Sequence, residues 1–289
     1  MTEENEGDRK LINTLVNPET VIEEDKKPLS LKIKIIINGV FFLIVIAVII
    51  VIIFQIFRKN ENEENQSDDV EVLPPIIIEP TLEYTHCIIW LHGWDNCPEN
   101  FVNFFKKQIP FIKQENTKII LMRAPYQVIT SHKINTTSWF DIYKSPLDSA
   151  DSYNFTDATK SKKMVEKIIN EEAKKLNGNY NKIYVGGHSQ GACISLYTAY
   201  NFKELLGGVL ACSGVLFPQA DIVGDKNRLN TFLGHGTEDM TIPISFHNET
   251  VKRIENYEGV KKFYYQGKGH DIYDEEKYDM SGFLNETMN

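Results

Sequence analysis

The chain is poor in the residues that build metal and redox centres. Cys87, Cys97, Cys193 and Cys212 are its four cysteines, and no two of them stand in a Cys-x-x-Cys spacing, so a zinc ribbon or thioredoxin-like site is excluded. Cys193 and Cys212 fall in apolar stretches and read as buried thiols. Cys87 and Cys97 flank a strand end, and their spacing leaves open whether they pair. Basic residues are also in deficit. Lys and Arg number 31 against 40 Asp and Glu, a net charge of −9. No basic stripe gathers along the chain, so nucleic acid is excluded as a partner. No internal repeat is present, which removes the solenoid and propeller architectures.

One long apolar run is present. Residues 1–34 are polar and mixed in charge, and read as a disordered tail. Residues 35–57 are almost wholly Ile, Val, Phe and Leu, with Asn38, Gly39 and Gln55 near the ends. As a helix they extend roughly 34 Å, enough to cross a hydrocarbon core. They are apolar on every face for longer than a buried core helix would be. They are also longer and further from the N-terminus than a cleaved leader. A single transmembrane helix is expected. Lys26, Lys27, Lys32 and Lys34 precede it, whereas only Arg58 and Lys59 follow closely, so the N-terminus is expected in the cytosol and the remainder in a lumen or outside the cell. The Asn-x-Ser/Thr sequences at Asn65, Asn135, Asn154, Asn248 and Asn285 all follow the apolar run. Residues 58–72 form an acidic linker that repels itself and extends.

Residues 73–289 alternate short apolar segments with helical ones. Strands are expected at Thr85–Leu91, Lys118–Met122, Lys182–Val185, Gly207–Ala211, Leu229–Leu233 and Val260–Tyr265, with Ile76-Ile77-Ile78 as an edge strand. Helices are expected at Glu99–Gln108, Thr156–Leu176 and Pro243–Tyr257, with a last one from Asp274 toward Leu284. A polar loop of about 30 residues, carrying Trp139-Phe140-Asp141, separates the second of these strands from the second helix. This alternation predicts an α/β fold, a mostly parallel sheet with helices on both faces. In such sheets the site lies at the carboxyl ends of the strands.

The sharpest motif is Gly187-His188-Ser189-Gln190-Gly191, between the strand at 182–185 and a helical stretch that begins at Ala192. A strand, a glycine turn and a helix are the context in which Gly-x-Ser-x-Gly marks a nucleophile elbow. A serine nucleophile needs a base and an orienting carboxylate. In α/β-hydrolases these follow in the order Ser, Asp or Glu, His. Asp239 closes the segment after the strand at 229–233, and His270 stands in a glycine-flanked loop after the last strand. Glu238 is a neighbouring alternative to Asp239, and Asp221 and Asp225 lie in a polar loop. His86, His92, His132 and His188 violate the order, His247 is in a helix, and His235 closes a strand beside Gly236. Oxyanion donors are also required: the backbone N–H of Gln190 after the nucleophile, and that of Trp94 in the loop Leu91-His92-Gly93-Trp94. Trp139 and Phe140 are candidates for the walls of an acyl pocket, with core packing as the alternative.

These stretches together resemble the acyl-protein thioesterase / carboxylesterase (phospholipase/carboxylesterase) family of α/β-hydrolases. The resemblance rests on Leu91-His92-Gly93, Arg123-Ala124-Pro125, Ser138-Trp139-Phe140-Asp141, Gly186 to Gly191, His235-Gly236 with Asp239, and Gly269-His270. It implies a Ser189–Asp239–His270 triad with Trp94 and Gln190 as oxyanion donors. It also implies hydrolysis of carboxylic esters or thioesters of acyl chains, on acylated proteins, lysophospholipids or small esters, without metal or organic cofactor. His188 departs from the phenylalanine common before the nucleophile. The apolar run is not a usual feature of the family, and a lumenal domain has no access to cytosolic S-acylated proteins. Two other readings stay open on the residues: a weakly active hydrolase fold serving as a subunit of a membrane complex, and a peptidase using the same three residues.

Overall fold

The computed structural model describes residues 46–55 and 73–288. These fall into two units, each considered by itself. In the first, residues 46–55 are helical (α1) and their apolar side chains are exposed. Among the described residues no helix is long and apolar enough to cross a membrane. The rest of the expected span 35–57, the tail 1–34 and the linker 58–72 lie outside the described residues.

The second unit is built on a seven-stranded sheet. Its strands are β1 (Ile76–Ile78), β2 (His86–Leu91), β3 (Thr117–Met122), β6 (Ile183–His188), β7 (Gly208–Cys212), β8 (Asn230–Gly236) and β9 (Val260–Tyr265). Their spatial order is β1-β3-β2-β6-β7-β8-β9. Every neighbouring pair is parallel except β1 with β3, where Ile77 faces Ile120 in an antiparallel register. Strand periodicity sends side chains alternately to two cores. From β2, Cys87, Ile89 and Leu91 enter one core, and Ile88 and Trp90 the other. With both faces covered, the central strands read as continuous apolar runs.

The first core is closed by α2 (Phe155–Lys175), α3 (Gln190–Asn201) and α4 (Ile244–Ile254). The Asn154 side chain caps α2, accepting from the N–H groups of Thr156 and Asp157. The second core is closed by α5 (Asp274–Thr287) and by residues 98–111. That segment is helical where a helix was expected, but not as one α-helix: a 3-10 turn at Pro98–Phe101 leads into a π turn at Phe104–Gln108. The change of winding brings Phe101, Phe104 and Phe105 onto Trp90 together, with ring centroids 5.6, 5.5 and 5.3 Å away.

The expected polar loop after β3 contains a two-stranded hairpin, β4 (Tyr126–Ile129) and β5 (Ile134–Thr137). Its turn has Lys133 at φ 55° and lacks the Asn-Gly signal that reveals hairpins in sequence. Cys87 and Cys97 are both free thiols.

Candidate functional site

The site forms where β6 ends. Ser189 adopts φ 58° and ψ −122°, a strained conformation for a residue with a side chain, and α3 begins at Gln190. Its N–H donates to the Cys212 carbonyl at the end of β7 (2.9 Å). Close approach requires the flanking glycines. A Cβ on Gly187 would lie 2.5 Å from the Leu91 carbonyl oxygen, and one on Gly191 only 2.2 Å from the same atom. The elbow is therefore wedged against the end of β2, with the α3 N-terminus beneath the serine.

The structure brings Ser189, His270 and Asp239 into one hydrogen-bonded chain. His270 lies in the loop after β9 and Asp239 in the loop after β8. His270 Nδ1 is 2.6 Å from Asp239 Oδ2, and His270 Nε2 is 2.7 Å from Ser189 Oγ. An ionised carboxylate only accepts, so Nδ1 carries the proton and Nε2 accepts from the serine hydroxyl. Asp239 Oδ1 in turn accepts from the N–H groups of Thr241 (2.9 Å) and Ile242 (2.9 Å). Burial works against ionisation of Asp239, but the bond to His270 and the attraction of its ring, with the Ile242 N–H, hold the carboxyl below its ordinary value. Glu238, the neighbouring alternative, is exposed, as are Asp221 and Asp225.

The other histidines have different environments. His235 is fully buried and donates through Nε2 to the Ile242 carbonyl (2.8 Å), passing 3.5 Å from Asp239 Oδ2. His247 stacks on it with centroids 4.2 Å apart, and burial pushes its imidazole down to about 3. His92 lies at the end of β2. Its Nδ1 donates to the Gly93 carbonyl (2.7 Å), its Nε2 accepts from the Ala124 N–H (3.1 Å), and burial lowers it to about 4. His188 lies beside His270, with centroids 5.2 Å apart and its Nε2 shut off from solvent without a partner. Burial first, and then His270, lower it to about 3. His132 is exposed at the hairpin turn and lies against Trp94, with ring centroids 4.6 Å apart and planes tilted by 40°.

Gln190 is the first residue of α3, so its backbone N–H is one that a helix leaves unpaired. Trp94 follows Gly93, where a Cβ would approach Ser189 Cβ to 3.3 Å. Both nominated donors thus belong to backbone beside the serine. Trp139 and Phe140 do not form exposed walls. Both have no exposed surface, so the core alternative holds for them. Trp139 Nε1 donates to the His92 carbonyl (2.8 Å), which ties the ring behind the β2 loop. Sequence reasoning missed what Ser138 and the Gln190 side chain do there. Gln190 Oε1 accepts from Ser138 Oγ (2.9 Å) and the Trp139 N–H (2.9 Å), and Nε2 donates to the Phe140 carbonyl (2.9 Å). The only sequence signal was the Ser-Trp-Phe-Asp run itself.

A groove of about 910 Å³ lies between β9 and α5 and contains none of these residues. Among the described residues no group of His, Cys, Asp or Glu is arranged to hold a metal.

Residues 74–288 match the family model described as Phospholipase/Carboxylesterase. The chain belongs to the phospholipase/carboxylesterase family. As a member, it is a serine hydrolase with the α/β-hydrolase fold. Its relatives in the family include acyl-protein thioesterase 1 of Debaryomyces hansenii, 29% identical over 213 residues, covering 70% of this chain and 90% of that protein. Acyl-protein thioesterase 1 of Saccharomyces cerevisiae is 27% identical over 217 residues, covering 70% and 92%. Among solved structures, Arabidopsis thaliana SOBER1 superposes with a TM-score of 0.64 at 21% identity, covering 71% of this chain and all of its own. Zea mays acyl-protein thioesterase 2 gives 0.58 at 18%, covering 74% and 99%. At these identities the two structures establish the fold alone.

Proposed function

We propose that this phospholipase/carboxylesterase member hydrolyses carboxylic esters or thioesters of acyl chains through Ser189, His270 and Asp239. The observation that carries the reading is the continuous chain Asp239 Oδ2–His270–Ser189 Oγ, at 2.6 and 2.7 Å. Ser189 Oγ attacks the acyl carbonyl while His270 Nε2 takes its proton. The carbonyl oxygen becomes an oxyanion facing the N–H groups of Trp94 and Gln190. His270 then gives the proton to the departing alcohol or thiol, leaving an acyl-serine. Water, deprotonated by His270, attacks that ester and releases the acid. Asp239 keeps the Nδ1 tautomer and stabilises the imidazolium.

The relatives named acyl-protein thioesterases support acylated proteins as substrates, with lysophospholipids or small esters as the other acyl carriers of this chemistry. A membrane anchor at 35–57 is supported by the apolar run and by the exposed apolar side chains of α1. The lysine imbalance supports a cytosolic N-terminus and a lumenal or extracellular catalytic unit. The exposure of Asn135 and Asn285 leaves two of the Asn-x-Thr sequences accessible for glycan attachment there.

Ser189→Ala is expected to lower turnover of p-nitrophenyl butyrate and of an acyl-coenzyme A thioester by about 10³-fold or more with the melting temperature retained. Retained turnover moves the nucleophile elsewhere. For the topology, protease added to sealed, cytosolic-side-out vesicles carrying the full chain should spare the catalytic unit. Its digestion reverses the orientation.

A further inference from the structure

Residues 136–140 grip both sides of the place where the oxyanion would form. On one side is the loop that carries Trp94. The Asp95 N–H donates to the Thr137 carbonyl (3.0 Å), Thr137 Oγ1 donates to the Asn96 carbonyl (2.7 Å), and Thr136 Oγ1 donates to the Asp95 carboxylate. On the other side is the α3 N-terminus, where the Trp139 N–H donates to Gln190 Oε1, Gln190 Nε2 donates to the Phe140 carbonyl, and the single Ser138 hydroxyl proton lies between Gln190 Oε1 (2.9 Å) and the Phe140 carbonyl (2.7 Å). Five consecutive residues therefore hold the loop just after Trp94, at Asp95 and Asn96, at one end and Gln190 at the other.

The Trp94 loop needs such a restraint. Asp95 has φ 53°, a left-handed conformation that Asp adopts at a cost, which bonds from outside the loop offset. The restraining strand is itself secured. The Ser138 N–H donates to the Pro125 carbonyl (2.9 Å), and Gln127 Nε2 donates to the Ser138 carbonyl (2.6 Å). At the far end of the hairpin, the His132 ring rests on the Trp94 indole. Thr136, Thr137 and Ser138 are all buried; the bonds of the Ser138 hydroxyl are shielded from competing water, whereas the two threonine bonds are part-buried and end on the exposed Asp95 and half-buried Asn96.

We propose that residues 136–140 are a clamp that sets the separation of the two oxyanion donors. Thr136 and Thr137 are positioning residues for Trp94, and Ser138 is the positioning residue for Gln190. The proposal rests on the reading of Trp94 and Gln190 as donors. Its physical basis is that donors act only when aimed at where the charge develops, and that a displacement of about 1 Å in a catalytic arrangement can cost about 100-fold.

The test uses the full chain and Thr136→Val, which keeps the shape and removes the hydroxyl. Turnover of p-nitrophenyl butyrate should fall about 10- to 100-fold in kcat, with KM within about twofold. Thr136→Ser, which restores the hydroxyl, should recover kcat to within about threefold of the parent. Affinity for a trifluoromethyl ketone, which forms an oxyanion on the serine, should fall in step with kcat/KM, whereas affinity for the product acid should not change. Ser138→Ala should show the same pattern from the other side. If Thr136→Val does not fold, Asp95→Gly carries the test, because glycine accepts the positive φ and removes the acceptor. Unchanged kcat in Thr136→Val and Ser138→Ala overturns the clamp. So does a Thr136→Ser enzyme as slow as the valine variant, or retained affinity for the ketone. Full activity of Ser189→Ala would instead remove the underlying reading, whatever the threonine variants do.

Discussion

Two buried carboxyls lie against β8 and behave oppositely. Asp239, in the loop after the strand, meets His270 and two backbone N–H groups. Its carboxyl is held below its ordinary value despite burial. Glu276, on α5, presses against the strand itself: a Cβ on Gly234 would lie 2.1 Å from its Oε1. That oxygen has no hydrogen-bond partner, and burial pushes the carboxyl up to about 8. Burial is common to both, so it is not what makes a carboxylate. At Asp239 the bonds to His270 and the Ile242 N–H outweigh burial, whereas at Glu276 burial and the nearby Asp271 and Asp279 outweigh the bonds from Cys212 and the Tyr273 N–H. The ionised one stands at the carboxyl ends of the strands with Ser189, and the neutral one in the second core, beside Cys212 and Met280.

The largest expected effect separates the two by activity. Asp239→Asn keeps the shape and an acceptor for the Thr241 and Ile242 N–H groups, but offers an amide to His270 Nδ1 and so favours the wrong tautomer. Its kcat on p-nitrophenyl butyrate should fall about 10⁴-fold. Glu276→Gln should stay within about twofold of the parent. Comparable losses in both would erase the distinction.

The next effect is on stability. Glu276 has a native value raised above its unfolded one, so its contribution is full below about 4.5 and is lost as pH rises through about 8. Glu276→Gln, neutral at every pH, should narrow the drop in denaturant stability between pH 6 and pH 8 by about 2 kcal/mol. An unchanged drop would place the charge penalty elsewhere.

A smaller effect has the opposite sign. His188, lowered to about 3 in the native state, stays neutral while the unfolded chain takes up a proton near 6.5. The unfolded state then binds more protons, and stability falls as pH drops from about 6.5 toward 3. His188→Phe should flatten that acid limb by at most about 1.4 kcal/mol per pH unit, read from unfolding curves at pH 5 and 6. His247 adds a similar increment, so part of the slope should survive. A steeper limb in His188→Phe would contradict its burial as a neutral ring.

The comparison also shows what the sequence made legible. Asp239 and His270 were readable because chain order and strand ends constrain them, and glycine spacing constrains Ser189. The sheet was readable because its central strands are apolar throughout. Glu276 was not readable, since an acidic residue in the first turn of a helix ordinarily faces water. Trp139 and Phe140 were ambiguous because large aromatics suit walls and cores equally. Only the partners of Trp139 Nε1 and of Gln190, about 50 residues away in the chain, show which applies. The hairpin and the π turn were hidden for a related reason. Their shapes follow from tertiary contacts, Thr136 with Asp95 and three phenylalanines with Trp90, and from no local pattern.

The most direct measurement is the mass and peptide map of the full chain after reaction with a fluorophosphonate. A single adduct on Ser189 is predicted, absent from Ser189→Ala and formed far more slowly in Asp239→Asn. An adduct on another residue, or undiminished labelling of Ser189→Ala, would contradict the assignment of Ser189 as the nucleophile.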